Sequence, residues 1–333
     1  MAFSSVHKST IVRSITRSVF RVLEPTGPGL AARLAEDVWF RLPAPRTPAP
    51  VSGTSVPIQE LLAAPFEVRL RGRAVRGWVW GKGPVVYLVH GWGGSLEQLM
   101  PLVAPLLDRG LRVVAFDGLS HGRSDAGVHG ASSSDAVELG RSLDAVAARF
   151  GPARAVVAHS MGALSSLLAI RDGWLAAERL VLLAPPSGIP DLLAVLRAEL
   201  GLGERTTRRL VDRVRLRTGY GPDELDLVTI FGGLPAAGRP ELLVVHDLLD
   251  REVPHEPSTR LVRSWPDAQL LSTAGLGHRR LLADAAVGGA VARFVDRLPV
   301  EASLHGEDRP QPLTPAAETE AANAVGHRRA GAA

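Results

Sequence analysis

From residue 66 onward the chain repeats one pattern, a short uninterrupted apolar run followed by a longer amphipathic stretch. The runs at 85–89 (Val85-Val86-Tyr87-Leu88-Val89), 112–116, 154–158, 179–183 and 241–246 are too short for helices. Apart from a leading charge in some, they show no apolar–polar alternation, as expected of strands buried on both faces. A shorter run at 269–272 ends the set. The intervening segments 96–108, 134–150, 163–171, 257–264 and 280–298 have helical spacing. Strands of this kind need helices on both sides, so the expected fold is α/β, with a mostly parallel, doubly wound sheet. Two more runs, 66–70 and 75–80, meet near Gly72 and read as an antiparallel hairpin that makes the sheet mixed.

Residues 186–239, between Pro185-Pro186 and Pro240, break the alternation. They are helical in tendency and arginine-rich, with no buried strand, and are expected to form a cap inserted after the sixth strand. Arg205, Arg208, Arg209, Arg213, Arg215 and Arg217 crowd this insertion and read as a solvated helix face. Residues 1–63 are expected to form a helical extension and a proline-rich connection. There Ile11, Ile15, Val19 and Val22 recur at helical spacing, with Arg13, Arg17 and Arg21 on another face. A second helical stretch covers 30–40, and Pro43, Pro45, Pro48, Pro50 and Pro57 follow. The first helix is expected to dock its apolar face on the protein body with its arginines in solvent. Lying on a membrane surface is the less favoured alternative. The core domain is expected at 64–298, and 299–333 as a disordered tail with few apolar anchors.

Composition narrows the function classes. At 333 residues and 46% hydrophobic content the chain can bury a sizeable core. No apolar run is long enough to cross a membrane, and charges interrupt the N-terminal region where a secretory signal would lie. There are no cysteines, so disulfides and thiolate metal sites are excluded, which fits a cytoplasmic location. The net charge is +4 and the only lysines are Lys8 and Lys82. Positive charge is thus spread as arginine rather than gathered into a phosphate-binding stripe, and no nucleic-acid partner is expected. The oligomeric state stays open.

In an open α/β sheet the ligand site lies beyond the carboxyl ends of the strands. Five segments occupy those positions: His90-Gly91-Trp92-Gly93-Gly94, then Asp117-Gly118-Leu119-Ser120-His121-Gly122-Arg123-Ser124, then Ala158-His159-Ser160-Met161-Gly162. After these come the segment from His246 to Pro254 and finally Gly275-Leu276-Gly277-His278. A small-x-Ser-x-Gly sequence between a buried strand and a helix can mount a serine on a tight turn, with Oγ pushed outward. Serine, acid and histidine come in the order Ser160, Asp250, His278. No separate His/Asp/Glu cluster has metal-ligand spacing, so no metal and no cofactor are expected.

This order, with these flanking segments, resembles the α/β-hydrolase superfamily over roughly residues 64–298. More narrowly it is similar to bacterial serine hydrolases with a histidine-glycine oxyanion loop, a D-x-x-x-H-G-x-S loop and a G-H-S-M-G-type elbow. Two departures stand at the elbow, Ala158 for the usual first glycine and Ala163 for the glycine after the motif. The resemblance implies Ser160 as nucleophile, His278 as base and Asp250 as the acid that orients it. Asp247 competes for the acid role, and the spacing of H-G-x-x-D-x-x-V-P segments favours Asp250. The amides of Met161 and, in the His90–Gly94 loop, Trp92 are the implied oxyanion donors. His90 and His121 are expected to brace loops, His159 to pack beside the elbow, and Asp117 to fix its own loop. The expected activity is cofactor-independent cleavage of small-molecule carboxylic esters with small to medium apolar acyl groups. Thioesterase, amidase, acyltransferase and cofactor-free haloperoxidase activities use the same groups, and a non-catalytic binding protein of this fold is the rival from another class.

Overall fold

The computed structural model describes residues 10–44 and 63–297, with side chains from Ile15 onward. The expected tail and most of the proline-rich connection lie outside these residues. By compactness the chain divides at Val295, and the sheet and the site belong to the unit that ends there.

The sheet contains β1 (Ala64–Leu70), β2 (Arg73–Trp80), β3 (Val85–Val89), β4 (Arg112–Asp117), β5 (Ala153–His159), β6 (Ala177–Leu183), β7 (Glu241–Asp247) and β8 (Gln269–Thr273). Their order is β1-β2-β4-β3-β5-β6-β7-β8. β2 is antiparallel to β1 and β4, and all other pairings are parallel. This is the mixed, mostly parallel α/β sheet that the apolar runs predict. Every residue of β3 is buried. Val85, Tyr87 and Val89 enter the core on one face, and Val86 and Leu88 the core on the other. The period of two thus divides a continuous apolar run between two layers of helices.

On the first face lie α4 (Ala136–Phe150), α5 (Met161–Arg171) and α9 (Glu256–Ser264). On the second lie α3 (Val103–Leu107) and α11 (Ala285–Asp296). Two expected helices are shorter than the spacing suggests. The segment 96–108 starts as a 3-10 helix, Leu96–Leu102, which contains Pro101, a residue with no N–H to give to an α-helical ladder. The segment 280–298 is broken into α10 (Gly277–Arg280), a 3-10 turn Leu281–Ala283 and α11. Asp284 interrupts it by accepting a hydrogen bond from the Val287 N–H, which caps the start of α11.

Between β6 and β7 the chain leaves the sheet for α6 (Ile189–Leu200), α7 (Glu204–Thr218) and α8 (Leu227–Gly232), the helical insertion. The N-terminal hairpin of α1 (Thr10–Thr26) and α2 (Pro28–Trp39) packs on this insertion, α1 against α6 and α2 against α7. A third core joins them, in which Phe20, Ala31, Ala32 and Ala35 meet Leu196, Leu200, Leu210 and Val214.

The docking face of α1 is not the one expected. Ile15, Val19 and Val22 are 60%, 45% and 66% exposed, whereas Phe20 is buried. Arg17, expected in solvent, turns inward and donates to the carbonyls of Ala198 and Glu199 at the end of α6. Cap formation explains the reversal. The C-terminal carbonyls of α6 need donors and the first amides of α7 need acceptors, and α1 supplies both. Glu24 accepts hydrogen bonds from the N–H groups of Arg205 and Thr206 and from the Thr206 hydroxyl. Gly203 makes room for it, since a Cβ there would lie 2.2 Å from Glu24 Cδ. The side chain of Ile11 is outside the described residues. The cap arginines are likewise not all solvated, because Arg213 pairs with Glu36 and Arg217 with Asp135.

Replacing Glu24 therefore removes a helix cap delivered by another helix. Glu24→Ala is expected to lower stability by about 1 kcal/mol, read as a lower urea midpoint at unchanged slope. An unaltered midpoint would mean that the hairpin is not clasped to the insertion in this way.

Candidate active site

The strand order locates the site. From β3 the chain goes on to β4 on one side and from β5 to β6 on the other, so the segments that follow β3 and β5 diverge and leave a crevice beyond the strand ends. The His90–Gly94 segment follows β3 and Ser160 follows β5.

Ser160 has φ +52° and ψ −123°, a left-handed backbone that non-glycine residues rarely adopt. Its N–H donates to the Leu183 carbonyl and its carbonyl accepts from the Ala163 N–H, fixing both sides of the turn. The neighbours must be small. A Cβ on Gly162 would lie 2.5 Å from the His90 carbonyl oxygen, and one on Gly91 would lie 2.9 Å from Ser160 Cβ. Ala158 and Ala163 are fully buried, so the turn accommodates both extra methyl groups.

The structure brings Ser160, His278 and Asp250 together although 118 and 28 residues separate the bonded pairs. Ser160 Oγ–H donates to His278 Nε2 at 3.0 Å. His278 Nδ1–H donates to Asp250 Oδ2 at 2.8 Å, and the Asp250 side chain is completely buried. Burial alone would raise the Asp250 pKa. Hydrogen bonds from His246 and His278, the charge of His278 and the Val253 N–H outweigh it and hold the carboxyl well below its usual range. The Asp247 carboxylate bonds to none of these three side chains, although the Asp247 carbonyl accepts from the Asp250 N–H. That carboxylate accepts from the Leu249, Gly275 and Leu276 N–H groups and from the Thr273 hydroxyl, which ties the loop before His278 to the end of β7.

His246 is the contributor that the motifs did not reveal. It is fully buried, and its Nε2–H is shared between Asp250 Oδ2 and the Val253 carbonyl, each at 3.3 Å. Nδ1 accepts from the Ser258 hydroxyl at 2.6 Å, which sets the tautomer. Asp250 is thereby gripped by two imidazoles. The sequence signal was a histidine four residues before an acid at a strand end, and the loop between them had to be seen folding back.

Trp92 and Met161 lie on the two loops that meet at Ser160. Among the described residues no group accepts a hydrogen bond from either amide. Next to Trp92, the Gly93 N–H donates to His121 Nε2 at 3.2 Å, while His121 Nδ1–H donates to the Leu119 carbonyl. His90 uses the same tautomer, accepting the Gly118 N–H at Nε2. His159 donates from Nε2 to the His278 carbonyl, and its Nδ1 has no partner among the described residues. Asp117 accepts from the Leu96 and Arg123 amides. Among the described residues no group of three or more His, Asp or Glu side chains is arranged to hold a metal ion. No helix there is long and apolar enough to cross a membrane.

Beside Met161 and Trp92 opens a small, mainly apolar pocket, walled on the insertion side by Ile189, Leu192, Val214 and Leu225.

A family model described as "Alpha/beta hydrolase family" matches residues 86–328. The chain belongs to this family. No curated protein is a significant match. Among solved structures it is similar to Est1E from Butyrivibrio proteoclasticus bound to ferulic acid, with 18% identity and a TM-score of 0.52 over 69% of this chain and 96% of that one. A putative lipase from Acinetobacter baumannii AYE matches with 16% identity and a TM-score of 0.53 over 73% and 95% of the respective chains. A thioesterase domain from the curacin biosynthetic pathway matches with 19% identity and a TM-score of 0.51 over 70% and 98%. At such identities the likeness establishes the fold.

The buried histidines carry a pH signature. Burial pushes His90 down to about 4, and burial with the neighbouring His90 pushes His121 down to about 3. Burial and the nearby His278 hold His159 well below the usual range. An unfolded chain protonates these rings below about pH 6.5, and the folded one does not, so each removes about 1.4 kcal/mol of stability per pH unit below that point. Two carboxyls oppose them, since burial raises Asp117 to about 6 and raises Glu138. The three histidines outnumber these two, so the urea midpoint is expected to fall between pH 6.5 and 5. A midpoint that held or rose over that interval would contradict their burial as neutral rings.

Proposed function

We propose that this protein is a serine hydrolase that cleaves carboxylic esters of small to medium apolar acyl groups, without a cofactor. The observation that carries the reading is the hydrogen-bonded row from Ser160 Oγ through His278 to Asp250 at the mouth of the crevice. A serine hydroxyl is a weak nucleophile near neutral pH and needs an adjacent base.

In the proposed reaction Ser160 Oγ attacks the ester carbonyl carbon as its proton passes to His278 Nε2. The imidazolium is stabilised by Asp250, already ionised and oriented by His246. The carbonyl oxygen becomes an oxyanion facing the Met161 and Trp92 N–H groups. One such donor is worth about 2.7–4 kcal/mol in the transition state. When the intermediate collapses, the alkoxide leaves with the proton from His278. Water then attacks the acyl-enzyme, gives its proton to His278, and the carboxylic acid departs as Ser160 recovers its proton. The apolar pocket supports an acyl group without charge.

A fluorophosphonate probe is expected to label the wild-type protein and not the Ser160→Ala variant. Ser160→Ala and His278→Ala should each lose on the order of 10⁶-fold in kcat, and the double variant about as much, because the two act as a unit. Asp250→Asn should lose about 10⁴-fold, and Asp247→Asn far less. A reversed ranking of the two aspartates in equally folded proteins would reassign the acid. Faster turnover of thioesters or amides than of matched esters would redirect the activity, and a folded protein that neither takes the probe nor cleaves esters would be a binding protein.

A further inference from the structure

Trp39 and Phe40, at the end of α2, also line the pocket beside Met161 and Trp92. They come from a part of the chain that precedes the sheet. Their place is held from three directions. The Ser134 N–H donates to the Phe40 carbonyl, and the Leu42 N–H donates to the Ser132 carbonyl. The Arg217 guanidinium of α7 lies 3.8 Å over the Phe40 ring. The same guanidinium donates to Asp135 Oδ2 and to the Ser134 carbonyl, with only 10% of the Arg217 side chain exposed. Behind them, the buried alanines of α2 and the Glu36–Arg213 pair fasten the hairpin to α7. The two aromatic side chains therefore form a preorganised wall, where ordering cost is paid in folding rather than on binding.

The polar side-chain oxygens on the wall are already engaged. Asp135 accepts from the Glu138 N–H with one oxygen and from Arg217 with the other. Thr218 Oγ1 donates to the Val214 carbonyl and accepts from the Tyr220 N–H. A charged acyl group entering here would lose its water and find no oppositely charged side chain free to pair with it, since Asp135 is already paired with Arg217.

We infer that the N-terminal hairpin is the second half of the cap, and that Trp39 and Phe40 are specificity-determining residues selecting an uncharged, wholly apolar acyl chain. The inference rests on the ester-hydrolase reading above. It is tested by the kcat/KM of wild type, Trp39→Ala and Trp39→Phe on p-nitrophenyl acetate, octanoate and hemisuccinate. Wild type should prefer octanoate and discriminate against hemisuccinate. In Trp39→Ala the octanoate-to-acetate ratio should fall by about tenfold or more, through a raised KM, with partial recovery in Trp39→Phe. A merely structural role would lower both esters in proportion and leave the ratio unchanged, which would overturn the inference, as would a wild-type preference for hemisuccinate. If wild type cleaves none of the esters and resists the fluorophosphonate probe, the hydrolase reading falls and takes this one with it. If it cleaves them with an unmoved ratio, only the role of the hairpin falls.

Discussion

The left-handed backbone of Ser160 is the constraint around which the rest of the crevice is arranged. A non-glycine residue held there costs about 1–3 kcal/mol, and it persists only where the surroundings over-determine it. Here β5 is locked between β3 and β6, and all but the last residue of α5 is buried. The bend between them has no room to relax toward ordinary angles. Its consequences reach outward. Gly162 and Gly91 must lack side chains so that the β3 loop can lie against the turn.

Around that turn, histidines do most of the fixing, each in a tautomer set by what it faces. His121 presents a bare Nε2 to the Gly93 N–H, and its burial keeps that nitrogen unprotonated well into the acid range. His246 does the reverse, presenting an N–H to Asp250. A protonated ring could not accept from the glycine amide, and a bare nitrogen would repel the carboxylate. The neutral state of His121 and the ionised state of Asp250 thus have different causes, burial for the histidine and hydrogen bonding for the acid.

The layers of the sheet were legible along the chain because each central strand is an unbroken apolar run, and a run buried on both faces has few other solutions. The order of Ser160, Asp250 and His278 was legible for a related reason. Groups at the ends of parallel strands are delivered to one edge, so motif order along the chain becomes proximity in space. Short-range chemistry was read less well where it competed with periodicity, as at Asp284, whose side chain stops a helix, and at Pro101, which tightens one.

What the sequence determined alone was the alternation, and with it the sheet, its two helical layers and the edge where the serine, the histidine and the acid meet. The tertiary structure decided the contacts between elements far apart in the chain that share no period. The spacing of Ile15, Val19 and Val22 pointed to the wrong docking face of α1, because spacing records where apolar side chains lie and not which helix ends need caps. Glu24 and Arg17 satisfy such ends on α7 and α6, and that requirement turned the helix over. The same packing took Arg217 from an apparently solvated arginine row and set it over Phe40, a contact whose partners lie 177 residues apart.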